Sequence, residues 1–105
     1  MKSIAVGIVL LIASVGAASA GAPEGKALFA TKCQTCHGAN GEGKDAIAKM
    51  LKVEMHPLGS KDVQAKSDGD LKKAILSGVG KMKPVSGVTD KQADDIVAFI
   101  RTLKE

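Results

Sequence analysis

The apolar positions of this chain follow two unlike patterns. From Ile4 to Val15 they are almost uninterrupted, after a short basic head of Met1 and Lys2 and before the small residues Ala18, Ser19 and Ala20. That order predicts a secretory signal peptide over residues 1–20, cut between Ala20 and Gly21. An uncleaved anchor is the alternative, although the strongly apolar part is shorter than the roughly 20 residues of a spanning helix. No cysteine lies near the cut to accept a lipid. Beyond Gly21 the apolar residues recur at helical spacing. Pro23 and Glu24 open a helix that runs to Lys32, with Leu28 and Phe29 on the face of Gly25. Glycine inside a helix costs roughly 1 kcal/mol against alanine, so Gly25 is expected to let another helix approach closely. A second helix is predicted over Asp45 to Lys52, with Ile47, Met50 and Leu51 inward. Val53 to Lys61 reads as loop, broken by His56-Pro57 and Gly59. A third helix, Asp68 to Ser77, follows Ser67, points Leu71, Ile75 and Leu76 inward, and ends at Gly78. Residues 79–85 carry no periodic pattern. Thr89 and Gln92 then form a capping box for a last helix to about Lys104, striped by Ala93, Ile96, Val97, Ile100 and Leu103 with Phe99 at its edge.

Four modest helices joined by glycine- and proline-bearing loops make an all-α domain over residues 21–105, and 105 residues leave no room for a second. Its apolar payload is thin. Two phenylalanines and no tryptophan or tyrosine are little for a core of that size, so a bound group is expected to supply bulk.

Cys33-Gln34-Thr35-Cys36-His37 says which group. Two thiols three apart followed at once by an imidazole is the spacing of c-type haem attachment, each sulfur forming a thioether and His37 binding the iron as proximal ligand. A thioredoxin-like pair expects strands alternating with helices, which are not visible here. Zinc needs four ligands, and the only other histidine, His56, has no companion three to five residues away. A plain disulfide leaves the adjacent histidine unexplained. The segment Gly38–Gly43 is not a P-loop, because Gly43-Lys44 is followed by Asp45, and it is expected to wrap a haem edge.

The second axial ligand decides between carrying electrons and acting on a bound molecule. The candidates are His56, Met50, Met55 and Met82, with Lys81 and Lys83 as weaker donors. Met50 falls on an inward helix face and reads as core. Met55 and His56 lie in a loop where either is able to approach the iron or cover a propionate edge. Met82 stands in an irregular loop between charged neighbours with no apolar stripe to explain it, and it is favoured. His56 and an open site remain the alternatives.

From Gly25 to Leu103 the chain resembles the small monohaem class I cytochromes c of bacteria. Beyond the C-x-x-C-H motif, Gly25 and Phe29 match the glycine and aromatic of that family's first helix, Phe99 the aromatic of its last, and Met82 with Pro84 its ligand loop. The resemblance implies a small cytochrome c fold of about four helices around one covalently attached haem c. It implies Cys33 and Cys36 as attachment points, and His37 and Met82 as axial ligands of a one-electron carrier that is not an enzyme. Two departures stand out. Lys83 separates Met82 from the proline, and there is no tryptophan or tyrosine for the haem propionates, for which Lys44, Lys49, Lys52 or Asn40 are the substitutes.

Charge bears on partners. The chain holds 15 Lys and Arg against 11 Asp and Glu, and loss of Lys2 with the leader leaves an excess of three. Lys32, Lys81 and Lys83, beside ligand residues in sequence, are expected to ring the haem edge and steer an acidic redox partner, the alternative being an ordinary solvated surface. Nucleic acid is excluded by the scarcity of arginine and aromatic platforms. A periplasmic monomer is expected, touching membranes only through partners or an uncleaved anchor. The competing function is a haem enzyme or gas sensor, such as a small peroxidase, with an exchangeable sixth position and His56 as its distal group.

Overall fold

The computed structural model describes Gly7 and residues 21–105. The rest of the predicted signal peptide, or anchor, lies outside the described residues. Among the described residues no helix is long and apolar enough to cross a membrane.

Six helices make up this part of the chain: α1 (Ala22–Lys32), α2 (Gln34–His37), α3 (Asp45–Leu51), α4 (Lys61–Gln64), α5 (Asp68–Ser77) and α6 (Asp90–Thr102). The four expected helices are present, and α2 and α4 are single turns added to them. One turn is too short to show a 3.6-residue period, which is why sequence pattern did not mark them. The described residues contain no strand, only one isolated bridge between Val79 and Met82.

Two ends are capped as their sequences dictate. Thr89 Oγ1 accepts from the Gln92 N–H at 3.1 Å and Gln92 Oε1 from the Thr89 N–H at 3.0 Å, closing the capping box of α6. Ser67 Oγ accepts from the Asp70 N–H at 3.0 Å at the start of α5, whose other end stops at Gly78 with φ 79°.

The core is the crossing of α1 and α6. Gly25 is buried, and a methyl group there would collide with the Asp95 carbonyl and stand 3.0 Å from the Ile96 nitrogen, so the two backbones touch where only glycine fits. Phe29, one turn on, is 1% exposed and meets Phe99 at 5.1 Å between tilted rings. Phe99 is therefore central to the core rather than at its edge. Ala93, Ile96, Val97 and Ile100 join it from α6, and Leu71 and Ile75 from α5. Full burial of such side chains is worth roughly 1.5–3 kcal/mol each.

α3 departs from expectation. None of its residues is fully buried, and Met50 is 68% exposed, so Met50 is not core packing. α3 ends one residue early, at Lys52 in the left-handed region.

The connection around α4 is held by polar bonds. Arg101 donates to Asp68 Oδ1 at 2.9 Å, to the Gln64 carbonyl at 2.9 Å and to the Lys66 carbonyl at 2.7 Å, while Gln64 Nε2 donates to the carbonyls of Leu58 and Ile100. These bonds fasten residues 58–68 to the end of α6.

Candidate cofactor site

The break at Cys33 shapes the site. α1 ends there with φ −116°, and the chain restarts as α2, in which the N–H groups of Cys36 and His37 both reach the Cys33 carbonyl, at 3.2 and 3.0 Å. Cys33, Cys36 and His37 are thereby carried on one tight turn. Gly38 stops it in the left-handed region at φ 83°, and the chain folds back so that the Gly43 N–H meets the His37 carbonyl at 2.7 Å.

That turn forms one wall of a cavity of roughly 1040 Å³, at the upper end of small-molecule and cofactor sites. Ile47, Met50 and Leu51 of α3 form a second wall, with Val53, Met55, His56 and Leu58 after it. Leu71 and Ala74 of α5 form a third, and Val79 to Ser86 bring Met82 to the fourth. Cys33, Cys36, His37 and Met82 therefore converge on one space, although 45 residues separate the last two in sequence.

Met82 is half-buried on a turn fixed at both ends. Its N–H and carbonyl pair with those of Val79 at 2.8 and 2.9 Å, and the Val85 N–H is tied to the Ile75 carbonyl of α5 at 2.9 Å. Gly78 makes the turn possible, because a methyl group there would stand 2.6 Å from the Met82 carbonyl and 2.9 Å from Pro84 Cδ. The intervening Lys83 thus does not remove the proline's packing role.

His56 also borders the cavity, beside two exposed carboxylates. Nδ1 lies 3.4 Å from Asp62 and Nε2 3.8 Å from Glu54, with the side chain 46% exposed. Met55 is half-buried against Gly43, where a methyl group would meet its Cγ and Sδ at 3.3 and 3.4 Å.

Electrostatics separate the members of the motif. Burial, with a smaller contribution from the neighbouring Cys36, pushes the Cys33 thiol up to about 11, so it stays protonated at neutral pH. Burial lowers the pKa of His37, leaving its imidazole neutral, the form that offers a lone pair to a metal. The two cysteines are free thiols, not a disulfide. His37 Nδ1 is buried without a hydrogen-bond partner, and Phe29 packs 6.5 Å from the ring. Two free thiols, a neutral imidazole and a thioether around an apolar cavity are a donor set that fits a haem.

Two expectations find no support in the cavity lining. Gly38–Gly43 does not line the cavity, and Gly41 lies against Leu58 and Leu103. Nor do Lys44, Lys49, Lys52 or Asn40 reach it, whereas Lys66 and Lys73 do, beside the expected Lys32, Lys81 and Lys83. Nothing in the local sequence distinguished Lys66 and Lys73 from ordinary surface lysines.

Comparison with known proteins follows the same line. The cytochrome c family model matches residues 22–104. Among solved structures, the KustC0563 c-type cytochrome is 26% identical with a TM-score of 0.66, covering 77% of this chain and 98% of that one. Cytochrome cL from Methylophaga aminisulfidivorans is 26% identical with a TM-score of 0.62 over 80% of this chain, which spans about half (53%) of that protein. Cytochrome cL from Hyphomicrobium denitrificans, 22% identical with a TM-score of 0.64 over 85% of this chain and 51% of that one, shares the fold. No curated protein matches. With the family matched over nearly all of the described chain, and with a cavity and donor set that fit its prosthetic group, the protein belongs to the cytochrome c family, the all-helical electron-transfer proteins that carry a covalently attached haem c.

Proposed function

We propose that this chain is an exported, periplasmic one-electron carrier in which Cys33 and Cys36 hold the haem by thioethers and His37 and Met82 are its axial ligands. The observation that carries this reading is the convergence of these four side chains on one cavity. The bound haem supplies the ferrous–ferric couple. The chain's residues tune and steady it. His37 remains neutral through burial and keeps its lone pair available. The Met82 thioether is a soft ligand that favours the ferrous state and raises the potential above that of two imidazoles. The paired Val79–Met82 bonds and the Val85–Ile75 bond keep this ligand in place as the electron moves, so little has to reorganise. No residue of the site has to act as acid, base or nucleophile.

The cavity wall carries Lys32, Lys66, Lys73, Lys81 and Lys83 against Glu54 and Asp70. An acidic redox partner is attracted to such a mouth. Export over residues 1–20 with a cut before Gly21 fits the chemistry, because in an oxidising compartment both thiols are expected to end in a bond, and thioethers to the haem would supply it.

Replacement of the candidate ligands tests the reading. Met82→Ala is expected to lose the low-spin spectrum of the haem-loaded protein, and His56→Ala to keep it. The reverse outcome places the imidazole on the iron and gives a carrier of lower potential.

A further inference from the structure

Among the described residues Asp95 is the one buried charged residue, 8% exposed, and it stands on α6 where α1 begins. Its side-chain partner is Lys91 of the same helix, with Nζ at 3.2 and 3.4 Å from the two carboxylate oxygens. The Lys91 side chain is 83% exposed, so the pair is of the solvent-screened i,i+4 kind that contributes little. Among the described residues no other side chain bonds the carboxylate. What faces it is backbone. A methyl group on Gly21, the residue before α1, would collide with Asp95 Oδ1 and stand 2.9 Å from its Cγ. The Gly21 nitrogen shares that Cα, so it lies within about 5 Å of the carboxylate.

We propose that the chain is cut before Gly21 and that the α-ammonium group so created is the ion-pair partner of Asp95, so that processing completes the α1–α6 crossing. The cut rests on the export reading above; the pair is additional to it. A leader peptidase hydrolyses the Ala20–Gly21 peptide bond, water adding its hydroxyl to the Ala20 carbonyl carbon and a proton to the Gly21 nitrogen. The new Ala20 carboxylic acid releases its proton and the amine takes one up, so a neutral amide N–H becomes an ammonium group, free to turn about the Gly21 Cα–C bond toward Asp95. The positive end of α1 opposes the new charge, and Glu24 in its first turn and Asp95 across the crossing favour it. Asp94 is taken by Lys72 at 3.1 Å, and Lys91 competes for Asp95 only from solvent. Glycine at position 21 is then explained, since any side chain would occupy the carboxylate's space.

Three measurements on the exported, haem-loaded protein test this. The intact mass is expected to show a chain beginning at Gly21; another terminus overturns the cut and the pair together. With the cut verified, the pKa of the α-amine, read from its acylation rate against pH, is expected to be lower in Asp95→Asn than in the wild type. Equal values overturn the pair and leave export standing. A Gly21-start chain acetylated on its α-amine lacks the charge but keeps Asp95. It is expected to have a folding constant about threefold to tenfold lower in urea than the unblocked chain, and Asp95→Asn to cost less in it than in that chain. No loss on acetylation overturns the pair even where Asp95→Asn fails to fold.

Discussion

The α1–α6 crossing and the wall from α3 to the Met82 turn are built on different principles. In the crossing, Gly25 lets two backbones touch, and Phe29, Phe99, Ile96 and Ala93 fill the contact with at most 7% exposure. The opposite wall has no fully buried residue in α3 or α4, leaves Met50 and Val79 exposed, and borders a cavity of roughly 1040 Å³. One side is stabilised by its own side chains. The other is arranged around a space that a prosthetic group fills, so loss of that group and loss of core packing should damage different parts of the molecule.

The largest effect is expected from Cys33→Ala combined with Cys36→Ala, which severs covalent attachment. The cavity wall then has nothing to close on, and circular dichroism should show helix lost well beyond the single turn of α2. A fully helical chain without haem would contradict the dependence of this wall on the group. Next is Gly25→Ala, where the added methyl group meets the Asp95 carbonyl, a backbone atom that cannot turn aside. A cost of about 3 kcal/mol is expected by denaturant unfolding, with the haem spectrum unchanged. Thr89→Ala removes one half of the capping box and should cost about 1 kcal/mol, again without a spectral change. Acid gives a graded test on the cavity side. Burial lowers the pKa of His37, so the imidazole proposed to bind the iron resists protonation below its ordinary value. The low-spin spectrum should therefore survive acidification through pH 6.5 and be lost only lower; loss starting above 6.5 would contradict the proposed coordination by His37.

The two sides were also unequally legible in the sequence. Gly25, the Thr89–Gln92 box and the α6 stripe are local signals, and each holds in the structure. C-x-x-C-H is local too and identifies the cofactor outright. Phe99 was placed at the stripe's edge, since helical periodicity alone cannot see Phe29 arriving from 70 residues away. Met50 borders the cavity rather than the core, since an inward helix face is able to line a cavity as well as a packed interior. The partners of Arg101 are Gln64, Lys66 and Asp68, which lie 33–37 positions earlier. His56 stands 3.4 Å from Asp62, a contact created by the chain's course rather than its spacing. Apart from the single turns α2 and α4, what the sequence does not show is non-local.

Carbon monoxide binding to the ferrous, haem-loaded wild-type protein tests the central claim most directly. With His37 and Met82 both held on the cavity wall, the visible spectrum should be low-spin and unchanged by the gas. Ready conversion to a carbon monoxide complex would show an open or labile sixth position, and would contradict the assignment of Met82 as a fixed ligand.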